Sequence, residues 1–311
     1  MEVIAKTGSE AYVELMQAVL NEGEPTSPRG QLTFELLNVT VQVEDLEEAH
    51  VLNTARKVNT KILATEYMHL LGGLSSLEQL DLASGGRFSQ FANGGRLLGA
   101  YGPRIRRQLP RVVELLSRDP DTRQAVLSIW TGREHEVDSR DVPCTLTVQF
   151  LLRDNQLHVR VSMRSNDVVL GIPYDWWMFS RLGMSVASAL GVETGSYTHT
   201  VGSMHLYDRD LGIANDVEDI GFLAKPRLAV PPALTYVGDR EDKVFRMIKL
   251  MQVAEDICLD DPSHWGADYL GMDWYHGHVP RITDVKQCVS CHCVVKTAEM
   301  SEHPQFCKAC N

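Results

Sequence analysis

Hydrophobic and polar residues alternate over residues 38–43 (NVTVQV), the period-two pattern of a half-buried strand. Over residues 57–71 (KVNTKILATEYMHLL) the apolar positions recur at helical spacing instead, and Gly72-Gly73 supplies a stop. A glycine-broken stretch runs from 84 to 102. Three strand-like runs follow at 125–130, 145–152 and 157–163, with Arg153-Asp154-Asn155-Gln156 as the hairpin turn between the last two. Residues 174–190 are apolar at helical spacing and too long for a typical strand, which predicts a buried helix. Pro231-Pro232 punctuates the chain before an amphipathic helix over about 240–258. No internal repeat or low-complexity tract interrupts this order. It predicts an α+β fold, a sheet with helices packed mainly on one side.

Composition narrows the class. The 311 residues are 44% hydrophobic and 23% charged, as in an ordinary globular protein. A chain of this length buries about 70–75% of its unfolded surface and needs no staples. No apolar run approaches the roughly 18 residues of a membrane span. The start, MEVIAKTGSEAYVELM, lacks a basic segment followed by an apolar one, so a cytoplasmic, soluble protein without a secretory signal is expected. Forty-one acidic against 30 basic side chains give a net charge of -11. That charge argues against direct nucleic-acid binding, although local basic clusters can still hold a small anion.

The seven cysteines divide unevenly. Cys144 and Cys258 stand alone, whereas Cys288, Cys291, Cys293, Cys307 and Cys310 crowd the end of the chain. An odd number without a signal argues for metal binding or a reactive thiol over a disulfide framework. Cys288-x2-Cys291 and Cys307-x2-Cys310, 15 residues apart, have the spacing of a four-thiolate zinc site. Cys293, His292 or His303 can replace one ligand. Four thiolates leave no position for water, so this zinc is expected to be structural. The expected organisation is a catalytic domain over 1–235, a helical or irregular extension over 236–285 and a zinc-knuckle tail over 286–311.

A solitary cysteine such as Cys144 is most often a small core hydrophobe. Its surroundings suggest more. Pro143-Cys144, Arg164-Ser165-x-Asp167-x-x-Leu170-Gly171-x-Pro173 and His205-x-Tyr207 together resemble the thymidylate synthase superfamily. So do Asp119-Pro-Asp-Thr-Arg123 and the segment Leu98-Gly99-Ala100-Tyr101-Gly102. Arg29-Gly30 and Glu66 sit where that family has a phosphate arginine and a catalytic glutamate. The ordered match runs from about Arg29 to Tyr207.

The resemblance implies a mixed sheet packed against helices, and a reaction. Pyrimidine carbon 5 is a weak nucleophile until a thiolate adds to carbon 6. Cys144 would be that thiol, helped by arginine charge that favours the thiolate. Methylenetetrahydrofolate would supply the carbon. Arg29, Arg164 and Ser165 would hold the nucleotide phosphate, joined across a homodimer interface by Arg123 from the other subunit. Gln124 stands where many members carry a further arginine. His205 and Tyr207 would bind the sugar, with Asn166, Asp167 and Gly171 also lining the nucleotide site. Asp167, Phe88 and Phe91 would face the folate, and Glu66 and Tyr101 would join Cys144 in catalysis.

One departure points to the base. Asp175, in Pro173-Tyr174-Asp175, stands where thymidylate synthases carry asparagine. A carboxylate accepts from the cytosine amino group and favours protonation at ring nitrogen 3, whereas it repels the oxygen of uracil. Aspartate here resembles the cytidylate hydroxymethylases of the superfamily. Thr145 and Met163 also replace the family's histidine and glutamine, and the short apolar carboxyl-terminal lid is missing. The expected function is 5-hydroxymethylation of dCMP, with CMP second. A methylating enzyme on dCMP or dUMP, or an inactive homologue binding through its zinc tail, are the alternatives.

Overall fold

A computed structural model describes residues 1–53, 55–92, 97–136, 139, 141–220, 233–236, 238, 240–259, 285–287 and 294–296. The elements in chain order are β1 (Glu2–Ala5), α1 (Gly8–Glu22), β2 (Glu24–Thr26), β3 (Thr33–Val43), α2 (Thr60–Gly72), α3 (Glu78–Ser84) and α4 (Gly102–Arg118). There follow β4 (Val126–Ser128), β5 (Thr145–Arg153), β6 (Gln156–Asp167), α5 (Ile172–Leu190), β7 (Glu193–Tyr207), α6 (Leu211–Ile220) and α7 (Lys243–Leu259). A separate hairpin pairs β8 (Val285–Gln287) with β9 (Val294–Lys296).

The expected mixed sheet is present. Its strand order is β1-β3-β7-β6-β5-β4, with β2 added alongside β3. β6 and β7 run parallel, joined through α5, while β3 is antiparallel to β7 and β5 to β6. The turn read at 153–156 closes β5 onto β6 with Arg153 opposite Gln156. Asp154 and Asn155 take φ of 50° and 63°, the left-handed geometry that a two-residue hairpin loop requires and that these side chains tolerate.

One sheet face is buried. Leu157, Val159, Val161 and Met163 of β6 alternate inward with Tyr197, His199 and Val201 of β7, beneath Trp176, Phe179 and Leu182 of α5. The opposite face carries Gln149, Arg160, Thr198 and Thr200, all at least partly exposed. Helices on one side are therefore what the structure has.

Boundaries differ for local reasons. The helix expected from 57 starts at Thr60, because the side chain of Asn59 accepts from the backbone N–H groups of Lys61 and Ile62. It ends where Gly73 turns left-handed at φ 79°. α5 begins two residues before the expected 174, with Pro173 tolerated in the first turn. α7 joins the central core through Met247, Leu250, Met251 and Ala254. Gly72 admits it, since a Cβ there would stand 2.8 Å from the backbone nitrogen of Glu255. Pro231-Pro232 and the zinc-ligand candidates Cys288, Cys291, Cys307, Cys310, Cys293, His292 and His303 lie outside the described residues.

Candidate active site

The strand-helix-strand unit β6-α5-β7 brings most of the site together, because β6 ends and α5 begins within five residues. Cys144 precedes β5, and its carbonyl accepts from the backbone N–H of Arg164 at 2.9 Å. The Arg164 guanidinium donates to the carbonyls of Pro143 at 2.9 Å and Val142 at 3.2 Å, and its Nη2 lies 3.6 Å from Cys144 Sγ. Its planar group also stands 5.8 Å from the Trp130 ring. Arg164 thus clamps the loop that presents the thiol and leaves part of its charge exposed.

Arg29 sits in the tight turn Pro28–Gly30 with φ 55°, a left-handed conformation uncommon for a residue with a side chain. Its charge, like that of Arg164, favours the Cys144 thiolate. Burial is nevertheless the largest influence, joined by the carboxylates of Asp175 and Asp141, and the thiol pKa lies above its ordinary value. Both cations act in the direction expected of arginine charge, and desolvation of the half-buried sulfur outweighs them.

Asp175 in the first turn of α5 acts on Glu66 of α2. Burial, then the charge of Asp175, pushes Glu66 up to about 8. Burial pushes Asp175 up to about 7, against a hydrogen bond from Asn166 Nδ2 to its Oδ2 at 3.0 Å. At neutral pH Glu66 therefore holds its proton and Asp175 is close to half protonated. Tyr101, ahead of α4, accepts from the backbone N–H of Thr145 at 3.3 Å and stacks on Phe179 with ring centroids 6.1 Å apart. Burial and the neighbouring Asp175 and Cys144 raise its hydroxyl above the usual range. Cys144, Glu66, Tyr101 and Asp175, expected to work together, are electrostatic neighbours.

Ser165 Oγ lies 3.4 Å from His205 Nδ1, and the His205 and Tyr207 rings meet edge-on at 5.2 Å. Asp167 is opposite His205 in the β6–β7 register, and its Oδ1 accepts from Val169 and Leu170 N–H at 2.8 and 2.9 Å. This carboxylate shapes the loop into α5, and burial raises its pKa. Phe88 and Phe91 occupy the short turn Arg87–Phe91, which Asp81 holds by accepting from Phe88 and Ser89 N–H. Phe91 is 42% exposed, an apolar face available to a planar ligand. Arg123 is exposed on the segment leading to β4.

Two placements were not legible in the motifs. Asn166, expected to contact the nucleotide, is only 4% exposed and turns inward to Asp175, His199 and Met163. His199, completely buried on β7, was not singled out at all. The only signal was a histidine at an inward strand position. Among the described residues no group of three or more His, Cys, Asp or Glu side chains is arranged to hold a metal. No helix among them is long and apolar enough to cross a membrane.

Comparison with known proteins agrees with this geometry. The family model described as Thymidylate synthase matches residues 10–248. A protein of Bacillus phage SP01 named deoxyuridylate hydroxymethyltransferase is 31% identical over 231 residues, covering 68% of this chain. The match spans 60% of that relative's own length.

Proposed function

This chain belongs to the thymidylate synthase family, and on that premise we propose that it transfers a one-carbon unit to carbon 5 of dCMP, releasing 5-hydroxymethyl-dCMP. The observation that carries the choice of base is that a carboxyl, Asp175, stands in the first turn of α5 beside Cys144 and Glu66, raised by burial to about 7 so that it can hold a proton near neutral pH. A carboxyl in that state offers one acceptor to the cytosine amino group and one proton to ring nitrogen 3.

Methylenetetrahydrofolate supplies the carbon at the formaldehyde level of oxidation. The exposed Phe91, the half-buried Phe88 and Asp167 are the residues that fit its ring system. Arg29, Arg164 and Ser165 hold the phosphate, and His205 and Tyr207 the sugar. Cys144 loses its proton in the nucleotide complex and adds to carbon 6, which turns carbon 5 into a nucleophile. Asp175 stabilises the added proton at nitrogen 3 as charge builds on the ring. After the new carbon–carbon bond forms, carbon 5 gives up its proton, the bond from the transferred carbon to the folate nitrogen breaks to release tetrahydrofolate, water adds to the exocyclic methylene so formed and the Cys144 sulfur leaves carbon 6. The balance is dCMP, methylenetetrahydrofolate and water in, 5-hydroxymethyl-dCMP and tetrahydrofolate out. Glu66, protonated until about pH 8, orients the water and relays protons.

The similarity to a protein named for hydroxymethyl transfer supports water, in place of hydride, as the last reactant. That relative is named for deoxyuridylate, which favours dUMP as a second reading of the substrate. Arg123, exposed beside the edge strand β4, suits donation to the phosphate site of a second subunit. The cysteine tail is proposed to hold one structural zinc through Cys288, Cys291, Cys307 and Cys310. The β8–β9 pairing supports this by bringing Gln287 opposite Val294, so the ends of the segment with the first cysteine pair meet. Metal analysis of the purified chain should find about one zinc, lost on changing Cys288 and Cys291 to serine.

Mass spectrometry after incubation with equal dCMP, CMP and dUMP plus methylenetetrahydrofolate tests the reaction. A gain of about 30 mass units on dCMP with tetrahydrofolate released is expected, since one CH2O is added. A gain of about 14 units with dihydrofolate would replace hydroxymethylation by methylation. No change on any nucleotide would refute the enzymatic reading.

A further inference from the structure

The carboxyl of Asp175 is held from behind by Asn166, the unspecified position of Arg164-Ser165-x-Asp167, and beyond it by His199, which belongs to no motif that pointed to the site. The amide nitrogen of Asn166 faces three acceptors: Asp175 Oδ2 at 3.0 Å, His199 Nε2 at 3.2 Å and Met163 Sδ at 3.1 Å. A thioether sulfur accepts and does not donate, so its position assigns this corner of the amide to nitrogen. The amide oxygen lies against Gly171, where a Cβ would stand 1.9 Å from it. Gly171 has φ -87°, open to any residue, so the missing side chain serves the asparagine and not the backbone.

His199 is pushed down to about 3 by burial and is therefore neutral. With Nε2 accepting from Asn166, its proton sits on Nδ1, which donates to Tyr197 Oη at 2.9 Å. Other groups near Asp175 are Glu66 from α2, Tyr101 ahead of α4, Tyr197 of β7 and Cys144 ahead of β5, with Arg29 and Arg164 acting on Cys144 beside it. Among the described residues, Asn166 is the side chain hydrogen-bonded to the Asp175 carboxyl.

This chain resolves an ambiguity that an asparagine in place of Asp175 would not have. A neutral carboxylic acid presents one donor and one acceptor, and either oxygen can take either part. One assignment matches nitrogen 3 and the amino group of cytosine, and the reverse matches the oxygen and N–H of uracil. An oxygen that accepts an amide N–H is best left unprotonated, because a hydroxyl oxygen is the weaker acceptor. Asn166 thereby keeps Oδ2 as acceptor and leaves the proton to Oδ1.

We propose that Asn166 and His199 are positioning residues that keep the proton on Oδ1 of Asp175, and that Oδ2 meets position 4 of the base while Oδ1 meets ring nitrogen 3, so that cytosine is selected over uracil. The selection rests on the reading of Asp175 as the group that meets the base. The positioning does not.

The test uses the full-length protein and two readouts. Carbon-13 NMR of aspartate carboxyls, with the Asp175 signal assigned by its loss in Asp175→Asn, gives the midpoint of Asp175 without any ligand. The kcat/KM values for dCMP and dUMP give selectivity. Asn166→Ser withdraws the amide donor, since the hydroxyl of the shorter side chain stops one bond short of Asp175 Oδ2, His199→Phe removes the acceptor behind it, and His199→Gln restores an acceptor through its side-chain oxygen. Asn166→Ser should move the Asp175 midpoint upward, since a donor to the carboxylate is lost. It should also lower the dCMP-over-dUMP ratio about ten- to a hundredfold, the factor for a charge-assisted hydrogen bond. His199→Phe should act in the same direction more weakly, and His199→Gln should return both readouts towards those of the unmodified protein.

Folded Asn166→Ser and His199→Phe proteins with unchanged midpoint and ratio would overturn the proposal. So would equal losses on both nucleotides with an unmoved midpoint, the signature of a merely structural role. Should Asn166→Ser not fold, the contrast between His199→Phe and His199→Gln makes the same decision. An unmodified protein that prefers dUMP refutes the base reading of Asp175 and leaves the midpoint to decide the positioning: moved in the variants it stands, unmoved it falls.

Discussion

Replacing Glu66 by glutamine removes a buried carboxyl without changing its shape, and its effect on stability can be worked from its position. The ordinary pKa of 4.5 is pushed up to about 8, first by burial and second by the charge of Asp175. Between those values the folded chain binds a proton that the unfolded chain has released. The contribution of Glu66 to stability is therefore complete below pH 4.5 and is lost as pH rises through 8. At about 1.4 kcal/mol per pH unit the interval amounts to about 5 kcal/mol. Glu66 keeps partial contact with solvent, which reduces the expected loss to about 2–5 kcal/mol. Glutamine stays neutral throughout, so the two proteins should be nearly equal at pH 5 and diverge towards pH 9, with Glu66→Gln the more stable. Urea midpoints across that range measure the divergence. Curves that remain parallel within about 0.5 kcal/mol would refute the account of Glu66 as a desolvated acid.

Further outcomes follow from the same geometry. Cys144→Ser should abolish turnover while nucleotide still binds by calorimetry, because the phosphate and sugar contacts lie on other residues. Asp175→Asn should shift the dCMP-to-dUMP ratio of kcat/KM towards dUMP by about a hundredfold or more, the scale on which a site built for one hydrogen-bond pattern rejects another. In Cys144→Ser, where the thiol cannot contribute, dCMP affinity by calorimetry should fall about tenfold per pH unit above about 7, as the proton shared with the base is lost. Gly171→Ala should lower the urea-derived stability by about 1–3 kcal/mol and weaken dCMP selection, since its Cβ would meet the Asn166 amide oxygen.

Much of the framework was open to reading along the chain. The 153–156 turn, strands β5 and β6, and helices α2, α5 and α7 follow from period, caps and turn residues that act within a few positions. Elements that broke their own pattern stayed hidden. β7 places Gly195 and His199 at inward positions, so its alternation of apolar side chains is interrupted. α4 carries Pro110 in its interior, which breaks the local signal while Ile105, Leu109, Val112 and Leu116 still bury one face.

The site divides along the same line. By itself the sequence determined which chemical groups are available: the thiol of Cys144, the arginines, the acid of Glu66, and a carboxyl in place of an amide at Asp175. These lie in short motifs whose order along the chain identifies the family. Only the tertiary structure decided the state of those groups. Burial, a property of the whole packed core, raises Cys144 against its arginines and holds protons on Glu66 and Asp175 near neutrality. The Asn166–His199 contact exists because parallel β6 and β7 lie side by side beneath α5, joining residues 33 positions apart. Residue type is local information, whereas desolvation and hydrogen-bond direction depend on neighbours that only the fold brings within reach.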